Sequence, residues 1–313
     1  EISAWVGEEN SYDFASWQLA YLCMSGFMII GVVTTLIIKE PQVDILRTPI
    51  TSQLRLFLHF LLIVAAFVVA FIALGGLFSY LKSDAAFINL LISAVRLTLS
   101  ILLAVAAGNA LSNLGLLSKQ EFREIYICPF EDFFTRYGKL ALWLLLIICL
   151  YRTSDIVMGV MAKVFYTDMG YSKIQISRIS FVFGTIVSLV GGIFGGLLAI
   201  RYGVMKILLI GAIVASLSNL MFIYLANLSS PSSIALAFAI IGDNLSGGLA
   251  GGVAVAFLST LVSKQFSATQ YAAFSSITLL FPKLLAGYSG QIVDYAGYQS
   301  FFAITTLMGI PVI

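Results

Sequence analysis

Long apolar stretches separated by short polar segments recur along almost the whole chain. Nine of them approach the roughly 20 residues that a helix needs to cross a bilayer. They cover residues 18–38, 56–79, 88–107, 140–162, 177–199, 204–226, 233–261, 270–290 and 299–313. Glycine is scattered through these runs, and the alternating apolar–polar pattern of barrel strands is missing from the sequence. The pattern predicts an all-α polytopic membrane protein with about nine transmembrane helices.

Composition supports a membrane protein. The chain has 313 residues, 60% of them hydrophobic and 10% charged, and its mean hydropathy is +1.02. Soluble domains contain about 25% charged residues, so this chain would expose too much apolar surface in water. The net charge of +2 gives no indication of nucleic-acid binding. The three cysteines are far apart and have no metal-ligand or disulfide spacing, so we expect neither a metal nor a cofactor.

The distribution of cations predicts the orientation. If residues 1–17, which are acidic, lie outside, alternate loops carry about ten cations against three in the opposite loops, as the positive-inside rule requires. The loop from about 108 to 139 is then cytoplasmic, and its sequence ICPFEDFFTRYGK has aromatic residues at helical spacing opposite charged ones. A short helix along the inner surface is favoured there over a regulatory docking site. Because the chain opens on Glu1 and its last run stops at Ile313, we expect an internal piece of a longer protein.

Several charged or amide side chains fall deep inside the predicted spans. At a rise of 1.5 Å per residue, Arg152 lies about 20 Å and Asp155 about 24 Å from the inner surface. Asp243, followed by Asn244, lies about 15 Å from the outer surface, and Lys283 about 20 Å from the inner one. Ionisable groups at such depth are costly and usually mark a pathway. The sequence therefore predicts a charged cluster for transport, with structural ion pairs that hold helices together as the alternative.

Glycines follow a regular pattern in two of the spans. They form two staggered pairs, four residues apart, in each span, a spacing that favours close helix packing over mere flexibility. The positions are Gly191, Gly192, Gly195, Gly196, Gly247, Gly248, Gly251 and Gly252.

The loop GGLLAIRYGVMKILLIG at residues 195–211 resembles the signature loop of the major facilitator superfamily, as it recurs in the second half of that family. The resemblance implies that Arg201, Gly203 and Lys206 form a cytoplasmic gating loop, in which the basic side chains lock neighbouring helices. The acid usual in this motif is absent, since Ala199 and Ile200 occupy its region.

From about residue 127 onward the chain resembles the second half of an AmpG-type muropeptide permease. The matching motifs are PFEDFFTRYG, YRTSD, GDNLSGG, KQFSATQYA and LAGYSGQIVDYAGYQSFF. The resemblance implies a last helix of the first bundle at 1–41, a linker with two extra transmembrane helices at 42–126, and a six-helix bundle at 127–313. The extra helices resemble the linker helices of proton-coupled oligopeptide transporters.

The same resemblance implies import of N-acetylglucosaminyl-anhydro-N-acetylmuramyl peptides across the bacterial inner membrane, driven by the proton-motive force. The expected partners are this small-molecule substrate, protons and lipid. Asp155 and Asp243 are expected to bind a proton or the substrate amine, and Arg152 and Lys283 the substrate carboxylates. Hydrogen bonds would come from Asn244 and Gln270, although Gln270 equally fits a structural position at the start of a helix.

Three other functions remain open. A related branch of transporters carries acetyl-CoA, and another small anion is possible on the same grounds. An intramembrane enzyme is disfavoured because His59 is the only histidine and the sequence contains no nucleophile elbow, zincin helix or phosphate loop. A receptor or scaffold that binds without transport is the third.

Overall fold

The computed structural model describes residues 14–38, 50–81, 83, 86–113 and 119–313. These residues form helices and connecting turns, and they contain no β-strand. Residues 1–13 lie outside the described residues, and with them most of the segment expected on the outer side. The all-α prediction is confirmed.

Thirteen α-helices make up the described part of the chain. The amino-terminal ones are α1 (Phe14–Ile37), α2 (Ile50–Phe78), α3 (Ala86–Asn113), α4 (Lys119–Phe122) and α5 (Cys128–Tyr137). The following ones are α6 (Leu140–Leu150), α7 (Thr153–Asp168), α8 (Lys173–Arg178), α9 (Ile186–Tyr202), α10 (Val204–Ala226), α11 (Ser233–Leu261), α12 (Ser267–Ala286) and α13 (Ser289–Leu307). Segments of π-helix at Arg123–Ile127 and Ile179–Thr185 precede α5 and α9, and 3-10 turns lie at Ser79–Leu81 and Ile310–Val312.

Among the described residues, seven helical segments are long and apolar enough to cross a membrane, against the nine predicted. They are α1, α2, α3, α6 with α7, α8 with α9, α10, and α11. The remaining two predicted spans do form helices, α12 and α13, of 20 and 19 residues, but both contain several serine, threonine and glutamine residues and are therefore less apolar. The fold is that of a polytopic helical membrane protein.

The helices from α6 onward pack into one bundle. Helix α11 packs against both α9 and α10, while α12 packs against α6 and α7. Helix α13 contacts α7 and α10. The α2–α3 hairpin packs mainly on itself and reaches the bundle where α3 contacts α12.

The staggered glycines explain how α9 and α11 approach each other, and they confirm the packing prediction. A Cβ on Gly195 would lie 2.5 Å from the carbonyl oxygen of Leu249, and one on Gly248 would overlap the carbonyl oxygen of Ser188, with the carbonyl carbon 3.0 Å away. Backbone therefore meets backbone along this contact, and any side chain at these positions would force the helices apart.

Two apolar cores fill the bundle, one toward each end. One contains Ile148, Tyr151 and Phe274, and the other contains Val157 and Phe302, all buried. The boundary between the cores falls at residues 152–155 of the span formed by α6 and α7. Arg152 and Asp155 lie at this boundary between the two cores.

Candidate functional site

The span that carries Arg152 and Asp155 is interrupted in its middle. Helix α6 ends at Leu150 and α7 begins at Thr153, with Arg152 in a non-helical conformation (φ −103°, ψ 9°) between them. Asp155 therefore lies in the first turn of a new helix. A carboxylate is favoured there by the partial positive charge of the exposed backbone N–H groups.

Arg152 and Asp155 form an ion pair. The Nε atom of Arg152 donates to Oδ2 of Asp155 at 3.1 Å, and Nη2 donates to the same oxygen. The side chains are 29% and 18% exposed, so neither is sealed off from the surroundings. The pair is held within the bundle, and both side chains are partly exposed.

Helix α11 brings Asp243 and Asn244 to the same place. Both border a cavity of about 300 Å³ together with Arg152 and Asp155. The other lining residues are Ser188, Gly247, Gly248, Gly251 and Gly252. Sequence reasoning predicted four of these polar residues by depth, and the structure brings them together.

The carboxylate of Asp243 has no partner of its own. In the described part of the chain it makes neither an ion pair nor a side-chain hydrogen bond, although the backbone carbonyl of Asp243 accepts one from Ser246. Two carboxylates and one guanidinium thus give the cavity a net charge of −1 when all three are ionised. One proton or one ammonium group would neutralise it.

Glycines on α11 leave the space that the ion pair occupies. A Cβ on Gly247 would lie 3.3 Å from Oδ1 of Asp155, and one on Gly251 would lie 3.3 Å from Nη1 of Arg152. Within each staggered glycine pair of α11, one residue therefore packs against α9 and the other faces the charges.

The π-helical segment Ile179–Thr185 borders the same region. A Cβ on Gly184 would lie 3.3 Å from Nδ2 of Asn244, which itself donates to the backbone carbonyl of Ile240. Single π-helical turns inside α-helices occur frequently at functional sites.

Lys283 does not join the cluster, contrary to the convergence expected from depth. Its side chain is exposed and does not line the cavity. The buried face of α12 runs through Gln270, Phe274, Thr278 and Pro282, and the residue after Pro282 points about 100° away from it. Depth counting gives the height of a side chain along a helix but not the direction in which it points.

Gln270 lies at another place, where α5 meets the loop between α11 and α12. Its Nε2 donates to Oδ2 of Asp132 at 2.8 Å and to the carbonyl of Pro129 at 2.7 Å. Its Oε1 accepts from Nη2 of Arg136 at 3.1 Å and from the backbone N–H of Ser263 at 2.7 Å. With every polar atom engaged, Gln270 fits the structural position rather than the substrate cavity.

This arrangement, which we call the α5 clasp (Asp132, Arg136 and Gln270), was not foreseen from the sequence. Burial alone would raise the pKa of the Asp132 carboxyl, but hydrogen bonds from Gln270 and Arg136 and the charge of Arg136 outweigh it and hold the pKa below its ordinary value. The predicted helix at this segment is present as α5, with Phe133 buried against Phe274 at 4.8 Å between ring centroids. The motifs PFEDFFTRYG and FSATQ are thus in direct contact.

The predicted gating loop lies at the junction of α9 and α10. Gly203 is the single residue between them and has φ +94°, a conformation that side chains disfavour. Arg201 and Lys206 are exposed, and within the described ranges neither forms an ion pair.

A buried hydrogen-bonded group around Asn219 was also not predicted from the sequence. Asn219 of α10 is fully buried and donates from Nδ2 to Oγ of Ser154 at 2.9 Å and to Oγ1 of Thr305 at 3.3 Å. Ser154 in turn donates to the carbonyl of Thr305 at 2.8 Å. The sequence did contain a signal for this group, an asparagine inside an apolar span at about the same predicted depth as the YRTSD motif.

Comparison with known proteins supports the resemblance noted above. Over 198 residues the chain is 34% identical to a Rickettsia conorii protein named "Putative transporter AmpG 4", covering 63% of this chain and 47% of that protein. It is 36% identical over 185 residues to a protein of the same name from Rickettsia felis, covering 59% and 44%. It is 28% identical over 187 residues to the "Anhydromuropeptide permease" of Escherichia coli K12, covering 59% and 37%.

The chain spans less than half the length of these curated relatives. No protein-family model matches it. The relatives are named as transporters and permeases rather than as enzymes. The sequence resemblance to AmpG-type permeases is confirmed.

Proposed function

We propose, from the sequence relationship to AmpG-type permeases and from the charged cavity, that the chain works in secondary active transport. The proposed cargo is cell-wall muropeptides, GlcNAc-anhydroMurNAc peptides, imported across the bacterial inner membrane by alternating access with the proton-motive force as driver. The observation that carries the proposal is the cavity at the helix interruption, where a paired Arg152 and Asp155 face an unpaired Asp243. Interrupted helices with polar side chains near the bilayer midplane are typical of transporter binding sites.

The charges suggest how substrate and proton are coupled. A muropeptide carboxylate competes with Asp155 for the guanidinium of Arg152, because both are anions that accept from the same N–H groups. Once released, the Asp155 carboxylate lies near the unpaired carboxylate of Asp243, and two like charges in a confined site favour binding of a proton or of the substrate amine. Asn244, which also borders the cavity, supplies a hydrogen-bonding amide.

The loop at the α9–α10 junction is proposed as the cytoplasmic gate. Its exposed cations, Arg201 and Lys206, are available to bind acidic or carbonyl groups that approach when the pathway closes. The sharp turn at Gly203 fixes the two helices at that point. Neutralising both cations is expected to change the uptake rate while substrate binding stays the same.

Uptake of a labelled anhydromuropeptide tests the proposal. Vesicles are prepared right-side-out and inverted from cells that express the natural gene product, and uptake is measured with and without a protonophore. We expect accumulation that the protonophore abolishes, and we expect Asp243→Asn to lose it. Asp294→Asn is the matched control, because Asp294 is exposed on α13 and does not line the cavity.

The same assay separates the competing functions. Equal uptake with and without the protonophore would contradict proton coupling. Competition by acetyl-CoA but not by unlabelled muropeptide would assign the other substrate branch. Specific binding without accumulation would indicate a receptor or scaffold.

A further inference from the structure

Arg96 of α3 is a cation within an apolar helix pair, and the proposed transport cavity does not use it. Its Nε and Nη2 atoms both donate to the backbone carbonyl of Phe71 on α2, at 2.9 and 2.6 Å. The Cζ atom lies 3.7 Å from the centroid of the Phe71 ring. A Cβ on Gly75 would lie 2.7 Å from Cζ, so this glycine leaves the room for the guanidinium.

Arg96 borders a cavity of about 370 Å³ between the α2–α3 hairpin and the junction of α12 and α13. Tyr288 contributes from that junction, and its hydroxyl donates to Oγ of Ser93 on α3 at 3.2 Å, because Ser93 itself donates to the carbonyl of Asn89 at 2.8 Å. The remaining lining residues are Gly75, Phe78, Ser79, Asn89 and Ile92. The cavity thus combines one cation with several hydroxyl and amide groups, and the described lining contains no carboxylate.

The positive charge of Arg96 is not balanced by the described part of the chain. Arg96 forms no ion pair in these residues, and Nη1 makes no hydrogen bond there. An uncompensated cation at membrane depth is costly, whereas a backbone carbonyl and an aromatic ring compensate it only in part. The planar guanidinium, held in place by Phe71, presents its remaining N–H groups in the geometry that binds phosphate or carboxylate oxygens.

We propose that this cavity binds an oxyanion, with Arg96 as the counter-charge and hydrogen-bond donor. The oxyanion comes either from the phosphate of an anionic lipid that lies between the hairpin and the bundle, or from a soluble phosphate or carboxylate. The inference is independent of the transport proposal, because none of these residues lines the cavity at Asp243.

Lipid retention tests the first source. The protein is purified in detergent from cells and analysed by native mass spectrometry for bound phosphatidylglycerol and cardiolipin. We expect Arg96→Gln to retain about tenfold less anionic lipid, equal to about 1.4 kcal/mol, and Arg96→Lys to retain most of it. Arg123→Gln is the matched control, since Arg123 is exposed, pairs with Glu131 at 3.1 Å and lies outside the cavity.

The second arm uses inorganic phosphate and muramyl dipeptide with protein in phosphatidylcholine nanodiscs. A rise in the thermal midpoint of wild type and of Arg123→Gln, but not of Arg96→Gln, would assign a soluble oxyanion to the site. Arg96→Lys keeps the positive charge but loses the planar set of guanidinium N–H groups that binds the Phe71 carbonyl. If this variant retains the ligand, Arg96 acts as an anion-binding group and not only as a structural link between α2 and α3. Equal behaviour of wild type and Arg96→Gln in both arms would overturn the proposal.

Discussion

Arg152 and Asp155 form an ion pair at the interruption between α6 and α7, with Nε and Oδ2 3.1 Å apart. Both belong to the same span, three residues apart, so the pair does not tie two helices together. The acid that comes from another helix, Asp243, is the one without a partner among the described residues. This arrangement weighs against the alternative in which the intramembrane charges serve only as links between helices.

The ion pair predicts a specific pattern of stability. Removing one partner of a buried ion pair typically lowers the free energy of unfolding by roughly 3–5 kcal/mol. Because both side chains are partly exposed here, we expect Arg152→Gln alone to fall at the lower end of that range. The double variant with Asp155→Asn should recover much of that loss, since the Asp155 carboxylate is then not left without its cation. Thermal unfolding in detergent measures both, while uptake should stay abolished in either variant. A double variant less stable than each single one would contradict the prediction.

The glycine contact between α9 and α11 predicts opposite effects of the same substitution. A Cβ on Gly252 would lie 3.0 Å from the carbonyl carbon of Gly192, so Gly252→Ala should cost about 1–3 kcal/mol through overpacking. Gly196 has nothing within 4 Å of its Cβ position, and Gly196→Ala should be neutral or stabilising by up to about 1 kcal/mol through helix propensity. Equilibrium unfolding of the two variants under identical conditions compares them directly. Equal loss from both would show that backbone contact is not the cause.

The α5 clasp predicts a dependence on acid pH. Since the pKa of Asp132 is below its ordinary value of 3.8 in the folded protein, its ionised form stabilises the fold. That contribution is complete above the ordinary pKa and is lost as the pH falls through the lower, folded-state pKa. The thermal midpoint of wild type should therefore drop more steeply below about pH 4 than that of Asp132→Asn. If the thermal midpoints of the two proteins fall in parallel with pH, the α5 clasp does not make this contribution. Asp294→Asn is the control for the loss of a carboxylate elsewhere.

The turn at Gly203 predicts strain on substitution. At φ +94° an alanine should cost about 1–3 kcal/mol, because the added Cβ clashes with the backbone in this conformation. No atom from elsewhere in the described structure lies within 4 Å of the Cβ position, so the expected cost comes from the local backbone conformation. With ψ 140° the residue lies outside the αL region that asparagine tolerates, so Gly203→Asn should cost about as much as Gly203→Ala. Thermal unfolding of the two variants checks this, and full tolerance of asparagine would contradict it.

The positions of the long helices could be predicted from the local pattern of apolar residues. The predicted runs 204–226 and 233–261 coincide with α10 and α11, because twenty or more apolar residues leave little other choice for backbone hydrogen bonding in a bilayer. The fixed rise per residue gave the expected heights of Arg152, Asp155 and Asp243 along their helices, and the three residues border one cavity. The family resemblance also came from the sequence, since the motifs that carry it are contiguous.

Tertiary structure alone decided which of these residues meet. It separated Lys283 from the charged cavity and placed Gln270 in the α5 clasp, because the direction of a side chain depends on how its helix is rotated against its neighbours. It also divided the glycines of α11 between helix packing and space for the ion pair, a distinction that identical spacing cannot reveal. The sequence thus determined the helices and the heights of their charges, whereas the pairing of those charges arose from contacts between segments far apart in the chain.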